Sequence, residues 1–504
     1  MAVGTGIAGA GFAVAHLSST VTLPLWLVVL LLVFAALAIL ERILLPGVRW
    51  ALRRRANRAI EKLNSRLSLQ IQPFKTTRRK ELINRLMFDG EVIKAIEQHV
   101  AETGEPRDIA GDRARRYASE IVPSFSAFAY FRIGTRIARL ISKSLYRVRL
   151  GHMNDDALRG IDPNATVVFV MNHRSNMDYL LVTYLAATSS ALSYAVGEWA
   201  QIWGLRAVIR SMGAYFIRRN SRNALYRRVL ARYVAMATEA GVTQAVFPEG
   251  GLSRDGKLRK AKLGLLSYML SGFGKEAGGC DIIFIPVGVN YDRVLEDRTL
   301  IAASKSQDVS APKFQFSVAH VARFLAHQLW LRLRGRWHRF GYACVSFGEP
   351  VSLRAWQKSR QVNFAMLTPD QRATEIDALG HDLMTAIGRV IPSLPVSLAA
   401  GVLLDTHDAG LPGLTTFELK GRIFARIQHL ESAGAHVHIP RADLDYAIDV
   451  GLRMLDMRHL ISRDDETIRI NPDEHDLLRY YANAIVHLLE QEEKSPIPVT
   501  TAVT

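Results

Sequence analysis

From residue 150 onward, apolar positions fall into short unbroken runs separated by longer stretches of helical period. The runs are 166–171 (TVVFVM), 192–196, 214–217, 242–247, 281–289 and 342–347, most of them rich in β-branched residues. Stretches such as 179–187 and 223–240 repeat apolar residues at helical spacing instead. Strands alternating with helices predict an α/β domain over 150–353 with a mixed, largely parallel sheet. The segment 77–149 before it reads as helical and basic, and 362–493 after it reads as helical again. The tail 494–504 (KSPIPVTTAVT) has no periodicity and is expected to be disordered.

At the other end, 23–40 (LPLWLVVLLLVFAALAIL) is apolar and uncharged. It is close to the ~20 residues that a membrane-spanning helix needs. The first charged residue is Glu41, and Arg42, Arg49, Arg53, Arg54, Arg55 and Arg58 follow. Residues 1–60 are therefore expected to be a transmembrane anchor with a basic juxtamembrane segment. The arginines place the rest of the chain on the cytoplasmic face of a membrane such as a bacterial inner membrane. A buried or in-plane helix is the competing reading of the same run. A second amphipathic stretch, 318–340, carries Arg323, Arg332, Arg334, Arg336 and Arg339 with Trp330 and Trp337. It either packs on the α/β core or lies on an anionic membrane.

Charge narrows the partner further. Lys and Arg total 64 against 47 Asp and Glu, a net +17, so an anionic surface or a phosphorylated ligand suits the chain. Two cysteines, Cys280 and Cys344, leave no room for a disulfide framework or a cysteine-rich zinc site.

Candidate chemistry gathers at the ends of the apolar runs. Immediately after TVVFVM comes Asn172-His173-Arg174-Ser175-Asn176-Met177-Asp178. An acid that orients a histidine and stabilises its cation makes a general base. Inside one regular helix a five-residue separation would set the side chains ~140° apart. The pair works if His173 sits in the turn leaving the strand and Asp178 in the first turn of the next helix. Alone the spacing says little. With 15 histidines and 47 acids, chance gives about one and a half such pairs. His438/Asp443, His459/Asp464 and His487/Glu492 share the spacing, but none follows a buried-strand pattern.

Three further blocks supply context. Gly213–Arg219 (GAYFIRR) is a strand ending in Arg218 and Arg219. In 247–257 (FPEGGLSRDGK), Gly250 and Gly251 allow close backbone approach to an anion, and Ser253, Arg254 and Lys257 are donors suited to phosphate. The third block is 285–296 (IPVGVNYDRVLE). Ser175 invites a Ser–His–Asp reading, but no nucleophile-elbow sequence surrounds it.

Taken in order, HRSNMDYLL, GAYFIRR, FPEGGLSRDGK and IPVGVNYDRVLE resemble the four motifs of the glycerolipid acyltransferase family, in the branch acting on glycerol 3-phosphate or dihydroxyacetone phosphate. FGEPVSL at 347–353 and VIPSLPVSLAAGVLLD at 390–405 extend the likeness. The resemblance implies a membrane-bound enzyme that moves a fatty acyl group from acyl-CoA or acyl carrier protein to the sn-1 hydroxyl of glycerol 3-phosphate. It implies His173 as base and Asp178 as its orienting partner. Arg218, Arg254 and Lys257 would hold the acceptor phosphate, with Ser253, Glu249, Gly250 and Gly251 lining the acceptor, and Phe216 and Pro286 shaping the pocket wall. No cofactor is expected, and no metal, because a thioester is already activated. Nucleic acid is not an expected partner. Lysophosphatidate or another lysophospholipid is the alternative acceptor. A non-catalytic lipid-binding scaffold is the alternative of another class.

Overall fold

The computed structural model describes residues 69–187, 190–197, 205–218, 221–273, 280–305, 338–464 and 467–490, with scattered residues in 24–67 and 323–334. The tail 494–504 and most of 318–340 lie outside the described residues. So does half of 23–40, where Leu25–Leu30 are helical. Among the described residues no helix is long and apolar enough to cross a membrane. Contacts divide the chain into Met1–Leu63 and Asn64–Thr504, and everything below concerns the second unit unless stated.

Its centre is an eight-stranded sheet built from β1 (Arg147–Leu150), β2 (Thr166–Met171), β3 (Ser193–Gly197), β4 (Tyr215–Ile217), β5 (Gln244–Val246), β6 (Ile282–Tyr291), β7 (Tyr342–Phe347) and β8 (Val351–Ser352). The order is β1-β7-β6-β2-β5-β3-β4, with β8 on β6. Strands β2 to β6 are mutually parallel; β7 and β8 run antiparallel to β6, and β1 is parallel to β7. The sheet is thus mixed and largely parallel, as expected. The outlying element is β1. Its sequence RVRL lies at the end of the stretch read as helical and carries two arginines in four residues. An edge strand needs few apolar positions, so it leaves little pattern.

Both faces of the sheet are covered, which is why its strands read as unbroken apolar runs. Along β2, Val167, Phe169 and Met171 enter one core and Val168 and Val170 the other. The first core is closed by the helix Pro395–Asp408 and other C-terminal helices, the second by Gly90–Thr103, Arg107–Ile121, Ala224–Glu239 and Pro369–Val390. The C-terminal region also holds a small antiparallel sheet: β9 (Leu414–Thr415), β10 (Ile461–Asp464) and β11 (Thr467–Ile470). In it Ile461, Ile468 and Ile470 are buried while Ser462, Arg463 and Arg469 are exposed. Two four-residue strands are too short to interrupt a helical reading.

Candidate active site

The chain leaves β2 through a five-residue turn, 172–176, and the helix Met177–Ala186 begins after Asn176. His173 is in that turn and Asp178 in the helix's first turn. His173 Nδ1 donates to Asp178 Oδ2 at 2.9 Å, with both side chains essentially inaccessible. The same oxygen accepts the backbone N–H of Arg174 at 2.8 Å and of Ser175 at 3.0 Å. Asp178 Oδ1 accepts the Tyr291 hydroxyl at 2.6 Å. Burial, and then Asp178 itself, push the Tyr291 phenol well up, so it stays a donor. Four donors converge on the carboxylate at the helix N-terminus and fix its orientation. With Nδ1–H committed to Asp178, Nε2 is the basic nitrogen; it is buried and has no hydrogen-bond partner among the described residues. The imidazole stacks on Phe247 at 4.0 Å and meets the Tyr179 ring edge-on at 5.5 Å.

Two neighbouring strands lock this turn. Asn172 continues the ladder through its side chain, donating to Val289 O at 2.9 Å and accepting Val289 N at 2.8 Å. From the loop after β6, Glu296 accepts Ser175 Oγ at 2.7 Å and both the backbone N and Nδ2 of Asn176. Ser175 Oγ is therefore committed to an acid and is not aimed at His173.

The loop after β5 joins by backbone contacts. Glu249, 1% exposed, accepts His173 N at 2.7 Å and Arg259 N at 3.1 Å. Ser253 N donates to His173 O at 2.9 Å, while Ser253 Oγ bonds Lys257 O and Asp255 within the loop. Gly250 takes φ +67° and Gly256 φ +86°, the left-handed region that glycine enters freely. Gly251 is half-buried between the bonded ends of this loop. Arg254 is exposed and reaches Ala303 O at 3.3 Å. The exposed Lys257 ammonium has no hydrogen bond or ion pair among the described residues.

Not every residue singled out from sequence converges here. Arg218 Nε and Nη2 reach the two oxygens of Glu120, at 2.9 and 2.6 Å, and the cation lies 5.2 and 5.3 Å from the Tyr117 and Tyr226 ring centroids. It makes no hydrogen bond to the 249–257 loop. Phe216 is fully buried in β4 beside Arg210. Pro286, in mid-β6, meets Gly348 through its carbonyl at 2.8 Å.

Sequence reasoning passed over Arg174, which is 3% exposed. One guanidinium nitrogen bonds Gly256 O, the cation lies 5.1 Å from the Tyr480 ring, and Nε and Nη2 are buried without partners among the described residues. Its only sequence signal was its place between His173 and Ser175.

Buried acids also shape the pH response. Burial raises Glu249 and Asp292 to about 7. Asp292 accepts Tyr342 N at 2.7 Å and Val396 N at 3.2 Å. An acid raised on folding binds more protons folded than unfolded. Its stabilisation is complete below the unfolded pKa, roughly 4, and is lost as pH rises through about 7. Between pH 5 and 7 each such group should lower stability by about 1.4 kcal/mol per pH unit. Asp292→Asn should flatten the dependence of the thermal melt on pH in that window. An unchanged slope would show that Asp292 titrates normally.

Comparison with known proteins follows the same division. Residues 153–290 match the family model described as Acyltransferase, and residues 329–492 that described as Glycerol-3-phosphate acyltransferase C-terminal region. The chain is 27% identical over 431 residues to a glycerol-3-phosphate acyltransferase of Xanthomonas campestris pv. campestris, covering 83% of this chain and 46% of that one. It is 26% identical over 426 residues to that of Pseudoalteromonas atlantica, covering 81% and 50%. The chain thus carries one stretch similar to the acyltransferases and a second similar to the C-terminal region of glycerol-3-phosphate acyltransferases. It spans about half the length of the curated relatives it matches. The acyltransferase match ends within β6, so His173, Asp178 and the 249–257 loop all lie inside it. Tyr480, Tyr481 and Asn483, which bear on the loops of that domain, lie in the C-terminal match.

Proposed function

We propose that the chain is a glycerol-3-phosphate O-acyltransferase, taking a fatty acyl group from acyl-CoA or acyl carrier protein to the sn-1 hydroxyl and giving lysophosphatidate. The observation that carries this reading is the buried His173, oriented by Asp178 through Nδ1 and unpartnered at Nε2. Nε2 takes the proton from the acceptor hydroxyl, whose oxygen attacks the thioester carbonyl. The resulting imidazolium is stabilised by Asp178, and the thiolate leaves with the returned proton. A thioester supplies its own activation, so the chemistry asks for no metal or cofactor. Arg254 and Lys257, exposed beside a loop that is hydrogen-bonded to His173, hold the acceptor phosphate.

Thiol release should therefore proceed far faster with glycerol 3-phosphate than with glycerol. Each charge-assisted hydrogen bond to the phosphate is worth ~1.5–3 kcal/mol. Arg254→Ala should raise the acceptor KM about tenfold or more and leave the donor KM near its starting value. Equal rates with glycerol would overturn the acceptor assignment. A clear preference for lysophosphatidate would move the chain to the next acylation step.

The membrane assignment rests on 23–40 and the arginines beyond it. Of the described residues there, Leu25, Trp26, Leu32 and Phe34 are each more than 60% exposed. Large exposed apolar side chains in one segment fit a lipid partner. We expect a reporter fused at the C-terminus to read cytoplasmic and the protein to sediment with membranes. A lumenal or periplasmic signal would reverse the topology.

A further inference from the structure

At the start of β1 and β7 there is a cavity of about 370 Å³ lined by Lys143, Tyr146, Arg147, Arg149, Arg339, Tyr342, Arg441 and Tyr446, together with Val148. Five of the nine lining residues are cations and none is an acid. None of the five makes an ion pair among the described residues. The nearby carboxylates are already engaged by backbone: Asp292 behind Tyr342 by two N–H groups, and Asp443 by Tyr446 N. Tyrosines organise the cations. Arg147 donates to Tyr446 Oη at 3.2 Å, Arg147 and Arg149 each lie 5.6 Å from the Tyr342 ring, and Arg441 lies 4.2 Å from the Tyr446 ring. To place it there the backbone takes φ +61° at Arg441 and +52° at Ala442, a conformation costly for residues with a Cβ. Like charges gathered this way repel one another until an anion joins them.

The sheet topology relates this cavity to His173. Because β7 runs antiparallel to β6, its first residues lie beside the end of β6, where Ala343 pairs with Tyr291. The pocket therefore opens on the same edge of the sheet as the turn after β2. Tyr146, on its wall, packs against Tyr291 at 5.2 Å, and Tyr291 donates to Asp178. From β1 to β2 there are three strand spacings, or ~14 Å. The chain of bonds between the sulfur and the phosphate of a pantetheine arm equals about four extended residues, also ~14 Å.

We infer that this pocket binds the phosphorylated nucleotide of a coenzyme A thioester, with the pantetheine arm running along the sheet edge to His173. The inference rests on the acyl-transfer reading above and adds the donor and its place. Its volume suits a compact nucleotide, and its tyrosines offer ring faces beside the cations.

The test titrates the full chain in detergent with CoA, 3′-dephospho-CoA and pantetheine by calorimetry, comparing the native protein with an Arg149→Gln/Arg441→Gln variant. Both side chains are exposed, and a thermal melt checks the fold. CoA binding should weaken roughly 10- to 100-fold in the variant, and pantetheine binding should stay the same. The acyl-CoA KM should rise by the same factor and the acceptor KM should not. Equal CoA affinity in both proteins, or an equal loss with pantetheine, overturns the pocket. So does a KM effect confined to acyl carrier protein as donor, which would assign the cations to a carrier protein's acidic surface. CoA binding lost in the variant, from a native protein that does not acylate glycerol 3-phosphate, would keep the pocket and reject only the acceptor.

Discussion

His173→Ala should lower kcat by ~10²–10⁴, the usual span for losing a positioned general base. The imidazole is 1% exposed, and among the described residues Nε2 has no protein partner while Nδ1 is held by Asp178. Packing complicates the reading, because the ring stacks on Phe247 and its removal leaves a cavity. His173→Gln fills more of that space but cannot serve as a base near neutral pH, so the two variants should be equally inactive while differing in thermal melt. Asp178→Asn should be nearly as severe. Asn retains one acceptor where four donors converge, and it loses the charge that stabilises the imidazolium. His459 has the same spacing to Asp464 but is exposed, with φ +56°, so His459→Ala should keep close to full rate. Full thiol release from a folded His173→Ala protein would remove the histidine mechanism.

The parts of this site that sequence made legible are those that depend on local order. A strand buried on both faces must read TVVFVM, and a general-base pair five residues apart must straddle a turn and a helix start. Both statements need only neighbouring residues, and the structure places β2, His173 and Asp178 accordingly. What stayed hidden depends on pairing across the chain. Tyr291 reaches Asp178 across 113 residues, and Glu296 reaches Ser175 across 121. A tyrosine inside an apolar strand signals burial and not its hydroxyl's partner. Arg218 shows the same dependence on distant residues. A strand-end arginine looks available to phosphate, but Glu120, 98 residues earlier, accepts from its Nε and Nη2. β1 escaped notice because an edge strand with two arginines has no apolar run to display. The cationic cavity joins residues 143–149, 339–342 and 441–446, which no local pattern connects.

Gly256→Ala should produce a large effect outside the His173–Asp178 pair. The residue takes φ +86°, and a Cβ there would lie 2.0 Å from Tyr480 O and 2.9 Å from Tyr480 C. The obstacle is backbone of the helix His475–Ala482 and cannot turn aside as a side chain would. Alanine pays the left-handed penalty, about 1 kcal/mol, together with overpacking of ~1–3 kcal/mol, so stability should fall by roughly 2–4 kcal/mol. The chemistry should suffer as well, because Gly256 is where the 249–257 loop, proposed above to hold the acceptor phosphate, meets the C-terminal region. Its carbonyl accepts from buried Arg174, and the neighbouring Asp255 carbonyl accepts Asn483 Nδ2 at 2.8 Å. Lifting the loop moves Arg254 and Lys257 together, so the acceptor KM should rise at least tenfold with less change in the donor KM. Gly421 is the control. It lies in the helix Thr416–Ser432 with nothing within 4 Å of an added Cβ. Gly421→Ala should leave activity alone and stabilise by up to ~1 kcal/mol. A Gly256→Ala protein with native melt and native acceptor KM would show that the loop does not depend on its seat against Tyr480.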